Sequence, residues 1–418
     1  MLSATWPQVD DIEFVLGGLK PSQSQEVRTT SYVALARMCF DQEILALLRA
    51  HSLLDKLLDL ISGATETPGA TSLAAALVLL LLAQDEANTV MQSEGVARAM
   101  ITCMKQGLGS AECGSGQERE TKEVPKFKYR RLGDEARARQ QSADKVLQVC
   151  MEAKEALKLP EELGEEAMRR LVSHEHLMVL ASAGLAHRAA AFRENFRLAG
   201  GVRVSCGRAN ESLQVASLSE GEHMWRLERD LRLLEGITHM SEANQQAVLD
   251  DQPTMIAALV TLVGRLTAEF AHGEANVAAK KRGKAGSKGK KAAAERVKAG
   301  SGPGSQSEGS ERYASCRLAA LRVLVNLTNH SARGAAHFGD ARGVAVLFGM
   351  LITSNGSGET EDFDALTLGL GVLINVLESN RTNRDELAAA KVDCPLPALC
   401  VHICSPVLAH SVRRCAPT

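Results

Sequence analysis

Two groups of histidine and cysteine residues have side chains that could bind a metal ion. His174 and His176 flank one glutamate, but residues at i and i+2 of a helix point in different directions, so these two imidazoles would not share a metal. Zinc sites use cysteine pairs separated by about two to four residues, together with a matching second pair. Ordinary buried cysteines are therefore the favoured interpretation of the second group, and a four-ligand zinc site is the alternative. That group consists of Cys394, Cys400, His402 and Cys404.

The common nucleotide-binding and hydrolase motifs do not occur in the sequence. The segment Lys284–Lys291 is rich in glycine and lysine, but it lacks the spacing of a phosphate-binding loop and no strand precedes it. No Gly-x-Ser-x-Gly motif for a nucleophilic serine is found, and no catalytic triad can be assigned from spacing. The sequence therefore predicts no enzyme, no catalytic residue, no metal and no cofactor.

The strongest electrostatic feature is a basic segment at residues 280–298. It has nine Lys or Arg residues and one acid, so it carries a charge of +8, and the rest of the 418-residue chain sums to −10. The residues after it are mostly Gly, Ser, Pro and Gln, a composition that cannot bury apolar surface, so we predict a disordered linker over 275–311. The segment could be a nuclear-localisation signal, a contact to a nucleic-acid backbone or a solvated linker. Its candidate residues are Lys280, Lys281, Arg282, Lys284, Lys288, Lys290 and Lys291.

A second basic segment, Lys126–Arg131, has Phe127 and Tyr129 among four basic residues. Aromatic rings can stack on bases while cations neutralise phosphates, which is one way to bind nucleic acid. We favour the alternative, in which the segment is the edge of a helix or strand with its two rings packed inward. A low-complexity stretch, Gly107–Glu123, precedes it.

The composition predicts which elements must position these residues. Only 14 of the 418 residues are aromatic, and the chain is rich in Leu and Ala, which favours helices over strands. The longest wholly apolar run, Leu73–Ala83, has 11 residues, whereas a bilayer span needs about 20. The first residues lack the basic and apolar regions of a secretory signal. Ten cysteines without paired spacing are typical of reduced thiols in a cytosolic or nuclear protein.

Three apolar segments can be superposed on one another, which indicates an internal repeat. They are Leu231-Arg-Leu-Leu-Glu-Gly-Ile-Thr, Leu321-Arg-Val-Leu-Val-Asn-Leu-Thr and Leu370-Gly-Val-Leu-Ile-Asn-Val-Leu. An asparagine stands 13 residues after the first leucine of two copies and after Ala75 of a fourth copy, whereas the copy at Leu321 has Gly334 there. We predict that these asparagines accept hydrogen bonds from free amides at the start of a second helix. The asparagines are Asn88, Asn244 and Asn383.

A helix, a short turn and a second helix in repetition are typical of HEAT and armadillo arrays, whose period is about 40–47 residues. Because one helix pair buries only one face alone, the pairs must stack. We therefore predict an all-α, HEAT/armadillo-like helical repeat, an α-solenoid, with residues 28–104 and 165–407 as two candidate lobes. The six helical blocks are 31–61, 72–104, 165–209, 224–266, 315–352 and 364–407.

These features divide the chain into seven predicted segments. Surface loops tolerate long insertions at little cost, so the two inserts among them are compatible with the fold. The segments are an N-terminal lead-in (1–27), N-terminal helical repeats (28–106), a low-complexity and basic insert (107–142), central helical repeats (143–274), a disordered basic linker (275–311), C-terminal helical repeats (312–408) and a tail (409–418).

Four segments, taken in order, resemble the C-terminal domain of the wings apart-like (WAPL) family. They are Arg28–Arg49, Arg226–Thr238 with Asn244-Gln245, Ala320–Thr328, and Phe363–Glu378 followed by Asn383-Arg384. The run Gly-Leu-Gly-Val-Leu-Ile-Asn-Val-Leu-Glu within the last segment is the most specific, and the others count mainly by their order. The resemblance spans residues 28 to about 387.

The resemblance implies a non-enzymatic regulator of cohesin. WAPL-family proteins act with the large HEAT-repeat accessory subunit of cohesin and promote opening of the junction between the SMC ATPase and the kleisin, which lets DNA leave the ring. The expected partners are therefore the SMC and kleisin subunits and this accessory subunit, on chromatin in the nucleus, with no membrane and no small-molecule substrate. Many family members also have Phe-Gly-Phe docking motifs in a long N-terminal region, and this chain contains none.

We expect a partner-binding site within the matched C-terminal motif. Two arginines there follow the end of a helix and would suit carboxylates on a partner. In the alternative interpretation the same residues hold the helix–turn–helix together, with Asn383 and Glu386 as a capping box or Thr382 as the cap. The candidate residues are Asn375, Glu378, Arg381, Asn383 and Arg384.

Two other functions stay open from the sequence. The chain could be a generic armadillo/HEAT scaffold for cytoskeletal or trafficking partners. It could also be a nucleic-acid-binding repeat protein that uses its two basic segments, which predicts strongly salt-dependent DNA binding that is lost when residues 280–298 are deleted.

Overall fold

The computed structural model of the protein describes residues 6–64, 69–108, 126–152, 173–214, 221–269, 305–353 and 360–390. Within these ranges the chain forms α-helices and one short 3₁₀-helix, Thr89–Gln92, and no strand. The predicted all-α helical-repeat fold is therefore confirmed. Among the described helices no single one is long and apolar enough to cross a membrane, and two pairs of consecutive helices, bent by 90° and 76°, reach that length and composition only together.

The chain divides into two compact units, residues 1–208 and 209–418. The boundary falls at the end of the third predicted block (165–209), so that block belongs to the first unit and not to the second predicted lobe. The helices of the first unit are α1 (Trp6–Gly18), α2 (Gln25–Met38), α3 (Gln42–Ala50), α4 (Leu53–Ala64), α5 (Ala70–Gln84), α6 (Glu94–Leu108), α7 (Lys126–Glu152), α8 (His174–Arg188) and α9 (Ala190–Leu198), and α10 (Gly201–Gln214) crosses the boundary. The helices of the second unit are α11 (Gly221–Thr238), α12 (Glu242–Asp251), α13 (Met255–Glu269), α14 (Ser305–Thr328), α15 (Ala332–Asp340), α16 (Gly343–Thr353), α17 (Thr360–Ser379) and α18 (Arg381–Ala390).

The repeats are built from three helices rather than from the predicted pair. A long helix is followed by a short one and then by a third, as in α2–α3–α4, α11–α12–α13 and α14–α15–α16. The turn into the third helix is tight in α2–α3–α4, in α14–α15–α16 and in the further repeat α8–α9–α10, because Ser52, Arg342 and Gly200 have positive φ angles of 54°, 56° and 83° at this place. Such a short turn leaves no loop signal in the sequence, so the second and third helices read as one. We name α11–α13 repeat A, α14–α16 repeat B and α17–α18 repeat C.

Both predicted inserts are shorter in the structure than in the sequence analysis. Residues 126–142 belong to α7 and residues 305–311 begin α14, while α1 lies within the predicted lead-in. Helix α7 packs on α2 and α5, and Arg37 of α2 forms a bidentate ion pair with Glu152 at 3.0 and 3.1 Å. Once part of a helix is packed, each further residue joins it at little cost, so polar flanks can be helical as well.

The first helices of repeats A, B and C stack side by side, α11 on α14 and α14 on α17. The superposed leucines of the first two copies, among them Leu231, Leu234, Leu321 and Leu324, are fully buried in this stack. Burial of such side chains is the main favourable term in folding. The equivalent Leu370 of α17 is only half-buried, so α17 exposes part of the face that its counterparts bury.

Candidate interaction surface

Asn383 connects repeat C to repeat B. Its side chain is buried, and its amide nitrogen donates to the carbonyl oxygens of Ala335 at 2.9 Å and of Val376 at 3.2 Å. Its Oδ1 lies against Gly339, where any Cβ would collide with it. The geometry therefore gives Asn383 a structural role and leaves it no exposed surface for a partner.

The buried asparagines bond the end of one helix rather than the start of the next. Asn244 donates to the carbonyl oxygen of Ile237 at 2.7 Å, seven residues earlier, just as Asn383 donates to Val376. The last carbonyls of a helix have no partner within it, so a side-chain donor satisfies them. The predicted caps of α18 are wrong, since Asn380 accepts the backbone N–H of Asn383 at 3.2 Å. Asn88 is buried too, and its side-chain amide has no hydrogen-bond partner among the described residues.

The exception at Gly334 has a steric cause. A Cβ at this position would collide with the carbonyl oxygen of Leu327, which is the equivalent of the carbonyls bonded by Asn244 and Asn383. In repeat B the short helix therefore lies too close to the first helix for an asparagine side chain.

Asn375 also bonds one repeat to the preceding one. Its amide nitrogen lies 3.2 Å from the carbonyl oxygen of Val325 and 3.4 Å from Oγ1 of Thr328. Asn326 makes the same pair of contacts one repeat earlier, to the carbonyl oxygen of Glu235 at 3.1 Å and to Oγ1 of Thr238 at 3.0 Å. We call each of these an Asn–Thr contact. Their repetition indicates that Asn375 sets the stacking of repeats.

The two arginines of the predicted site differ. Nη1 of Arg384 donates to the carbonyl oxygens of Leu377 at 2.6 Å and of Glu378 at 3.3 Å, so this half-buried side chain closes the end of α17 and is not free to bind a carboxylate of a partner. The side chain of Arg381 is 87% exposed, with Nε 3.9 Å from Asp385. Arg381 and the exposed Glu378 are therefore the predicted residues that stay accessible to a partner.

The exposed side of α17 has an apolar stripe that the sequence analysis did not identify as a site. Phe363 is 69% exposed and Ile374 is 47% exposed. The other members lie between or beyond them at spacings of three or four residues, which places all of them on one side of the helix. We name this surface the end face, and its residues are Phe363, Thr367, Leu370, Ile374 and Glu378.

The end face corresponds to the surface through which repeat B packs on repeat C. Superposition of the repeat segments places Ile374 on Val325. Val325 lies against α17. The Cγ2 of Val325 is 3.8 Å from the position that a Cβ would take at Gly371, and the carbonyl oxygen of Val325 accepts the hydrogen bond from Asn375. Within the described part of the chain, Ile374 has no repeat packed on it in this way. The end face is thus an open stacking surface, and comparing the repeats position by position would have revealed it from sequence.

The chemistry of the end face is that of binding. It combines two large exposed apolar side chains with Glu378 and with Arg381, the first residue of α18. Burying a side chain such as Phe or Ile stabilises a complex by about 1.5–3 kcal/mol, while charges at the rim select orientation and partner. A helix laid along α17, as α17 is laid along α14, fits this surface.

The other predicted sites are placed as follows. His174 is buried, which lowers its pKa, and the buried His176 has Nδ1 2.7 Å from Oγ of Ser173 at the start of α8. Residues 126–131, the second predicted basic segment, form the beginning of α7. No three His, Cys, Asp or Glu side chains are grouped for a metal ion in the described ranges. Outside those ranges lie the candidates between Lys280 and Lys291 and the group Cys394, Cys400, His402 and Cys404.

Comparison with known proteins links the chain to one family. The family model described as "Wings apart-like protein regulation of heterochromatin" matches residues 8–383. The human protein named "Wings apart-like protein homolog" is 24% identical over 396 residues, which cover 92% of this chain and 30% of that protein, so this chain spans less than a third of the relative's length.

Two crystal structures of engineered proteins were also matched. One is 14% identical with a TM-score of 0.44 and covers 88% of this chain and 98% of its own. The other is 15% identical with a TM-score of 0.34 and covers 91% of this chain and 82% of its own. Both TM-scores lie below 0.5, so neither likeness bears on the fold.

Proposed function

This chain belongs to the wings apart-like family, and we propose that it regulates cohesin by promoting its release from chromatin. In this proposal the protein works without catalysis, in the nucleus: it binds the ring and favours opening of the gate between the SMC ATPase and the kleisin. Its partners are those two subunits and the HEAT-repeat accessory subunit. The family match over residues 8–383 and the helical-repeat fold support a regulatory, protein-binding role.

The observation that carries the proposal is the end face. Stacking surfaces of helical repeats are complementary to helices, because each repeat buries its apolar side against a neighbour. The partner that we assign to this surface is a helix of a cohesin subunit, with apolar residues against Phe363 and Ile374. At the end of the partner helix near this rim, a basic residue would face Glu378 and an acidic residue would face Arg381.

The energies required are within reach of such a surface. A regulator shifts a conformational equilibrium only by binding one state more tightly than the other. Raising an open gate from about 1% to about half of the molecules needs roughly a hundredfold preference, or about 2.7 kcal/mol. Burial of Phe363 and Ile374 against the open state alone supplies an energy of this order.

The test is co-purification of cohesin with the tagged full-length chain from cells that express it. We expect the unaltered chain to recover cohesin subunits and its depletion to lengthen the residence of cohesin on chromatin. The double variant Phe363→Glu with Ile374→Glu should lose cohesin. Matched controls are Phe14→Glu and Leu198→Glu, which add the same charge at apolar positions that are 84% and 62% exposed, and both should retain it.

The possible outcomes separate the function from the surface. If no cohesin subunit is recovered and residence is unchanged on depletion, the proposed function is wrong. If cohesin is recovered equally by the end-face variant, the function stands and the assigned surface is wrong. Arg381→Glu tests the rim alone, and unchanged binding would remove Arg381 from the site.

A further inference from the structure

The first unit has a pocket that lies in a different part of the chain from the end face. It is an open pocket between α4 and α6 with a volume of about 180 Å³. Its floor is apolar and comes from three helices, with Ile61, Leu79 and Val96 all at least 97% buried. A dry apolar cavity of roughly 150 Å³ accommodates a benzene ring, so this pocket has room for one Phe or Leu side chain.

The rim of the pocket is acidic. Asp55 and Asp59 both line it, are both exposed, and stand one helical turn apart on α4. Neither carboxylate is paired with a cation in the part of the chain that the structure describes, and Lys56 of the same helix does not line the pocket. The opposite rim consists of the small residues Ser93 and Gly95.

We propose that this pocket binds a short exposed peptide of a partner protein in which a Phe or Leu side chain is flanked by Lys or Arg. The apolar side chain fills the space over Leu79, and the flanking cations face Asp55 and Asp59. Pockets for peptides and small ligands combine an apolar floor with a few polar groups at the mouth in this way. Both features are needed, because an acidic rim alone would attract any cation and an apolar floor alone any hydrophobic residue.

The inference stands independently of the proposed role in cohesin release. It concerns the first unit, whereas the end face belongs to the second, and it uses only the shape and charge of the pocket. A partner peptide is favoured over the basic segment at residues 280–298 of this chain, since only Val297 there is a large apolar residue next to Lys or Arg.

The test is saturation-transfer difference NMR with the full-length chain, a method that reports weak binding. The probe is the heptapeptide Gly-Ser-Lys-Phe-Arg-Ser-Gly, and the matched peptides replace Phe by Ala or both cations by Glu. We expect the strongest transfer at the Phe ring, a loss of more than about tenfold in affinity for the Ala peptide, and no binding of the Glu peptide.

Two variants connect the signal to the pocket. At Gly95 a Cβ would meet nothing within 4 Å, so Gly95→Trp can block the mouth without disturbing the fold, and it should abolish the transfer. The double variant Asp55→Asn with Asp59→Asn keeps the shape and should weaken binding of the Lys-Phe-Arg peptide by about two- to thirtyfold, as expected for two exposed ion pairs. An exposed site elsewhere, Phe14→Trp, serves as the control and should change nothing.

Three results would overturn the inference. The first is absence of a saturable signal for the Lys-Phe-Arg peptide, and the second is an equal signal for the Glu peptide or in the folded Gly95→Trp variant. The third is binding that emerges only after deletion of residues 280–298, which would identify this chain's own segment as the occupant.

Discussion

The hydrogen bonds of Asn383 predict a specific loss of stability in the second unit. Asn383→Ala removes donors to the carbonyl oxygens of Ala335 and Val376, both in buried bonds. A lost hydrogen bond costs about 0.5–1.5 kcal/mol, and a buried acceptor left without a partner adds up to about 1–3 kcal/mol. We therefore expect the free energy of unfolding to fall by roughly 2–4 kcal/mol.

A second substitution, at Gly339, tests the same contact from the other side. Gly339→Ala places a Cβ against Oδ1 of Asn383, and overpacking of this kind costs about 1–3 kcal/mol, against a gain of up to about 1 kcal/mol from replacing glycine in a helix. In the Asn383→Ala background the colliding atom is gone, so the same change should be neutral or stabilising. The double-mutant cycle should give a coupling of about 1–3 kcal/mol.

The assay is urea unfolding of the full-length chain followed by tryptophan fluorescence. The chain has two tryptophans, Trp6 and Trp225, and Trp225 is buried in α11, so a Trp6→Phe background reports the second unit. Asn329→Ala, at an exposed turn residue, is the matched control and should stay within about 0.5 kcal/mol. Additive effects of Gly339→Ala and Asn383→Ala, or a loss at Asn383 no larger than the control, would refute the reasoning.

Three further predictions follow from described contacts. Asn375→Ala should lower the free energy of unfolding by about 1 kcal/mol, measured by the same urea assay, and an unchanged value would contradict its role in stacking. The hydrogen bond from Arg37 lowers the pKa of Glu152 below its usual 4.5, so the ion pair stabilises above that pH and is lost as the pH falls. Because both side chains are largely exposed, Glu152→Gln should cost less than about 1 kcal/mol at pH 7, and thermal melts should show the difference between wild type and variant narrowing towards pH 3; a constant difference would argue against the pair. Burial raises the pKa of three thiols, to about 12 in two of them, so brief iodoacetamide treatment at pH 8 should leave them unmodified by mass spectrometry until the chain is unfolded, and rapid labelling of the native protein would disprove their burial. These thiols are Cys39, Cys150 and Cys316.

The asparagine spacing shows how far sequence reasoning reaches. It selected Asn244 and Asn383 correctly as residues that hold helix to helix. It gave them the wrong partners, because local rules favour an asparagine as an acceptor for nearby amides, whereas both side chains donate to the carbonyl seven residues earlier. The second acceptor of Asn383, in Ala335, is 48 residues away and depends on how repeats B and C stack, which spacing alone does not show.

The structure separates the predicted site residues into two groups. The matched C-terminal motif contains the open surface, but within it Asn375, Asn383 and Arg384 bond backbone carbonyls, and Glu378 and Arg381 are exposed. A charged residue near a helix end can either bond a backbone carbonyl or stay exposed to a partner, and the outcome depends on whether an unbonded carbonyl lies within its reach. The last carbonyls of α17 lie within reach of Arg384, which bonds them. Arg381 lies one turn earlier on α18 and forms no such bond to a carbonyl among the described residues.

The Asn–Thr contacts restrict what can bind the end face. Thr238 and Thr328 accept from an asparagine of the following repeat, but the equivalent position of repeat C is Leu377. A further helix of the same type, with an asparagine at this place, would therefore meet a methyl group instead of one of its two acceptors, at a cost of about 1–3 kcal/mol if the donor stays unsatisfied. The surface thus disfavours another copy of the repeat and favours a helix that meets Ile374 with an apolar side chain. It follows that Ile374→Thr, which shortens the exposed apolar side chain at this end of α17, should weaken binding of the cohesin helix proposed for the end face, and unchanged binding would show that the partner does not contact this end of α17.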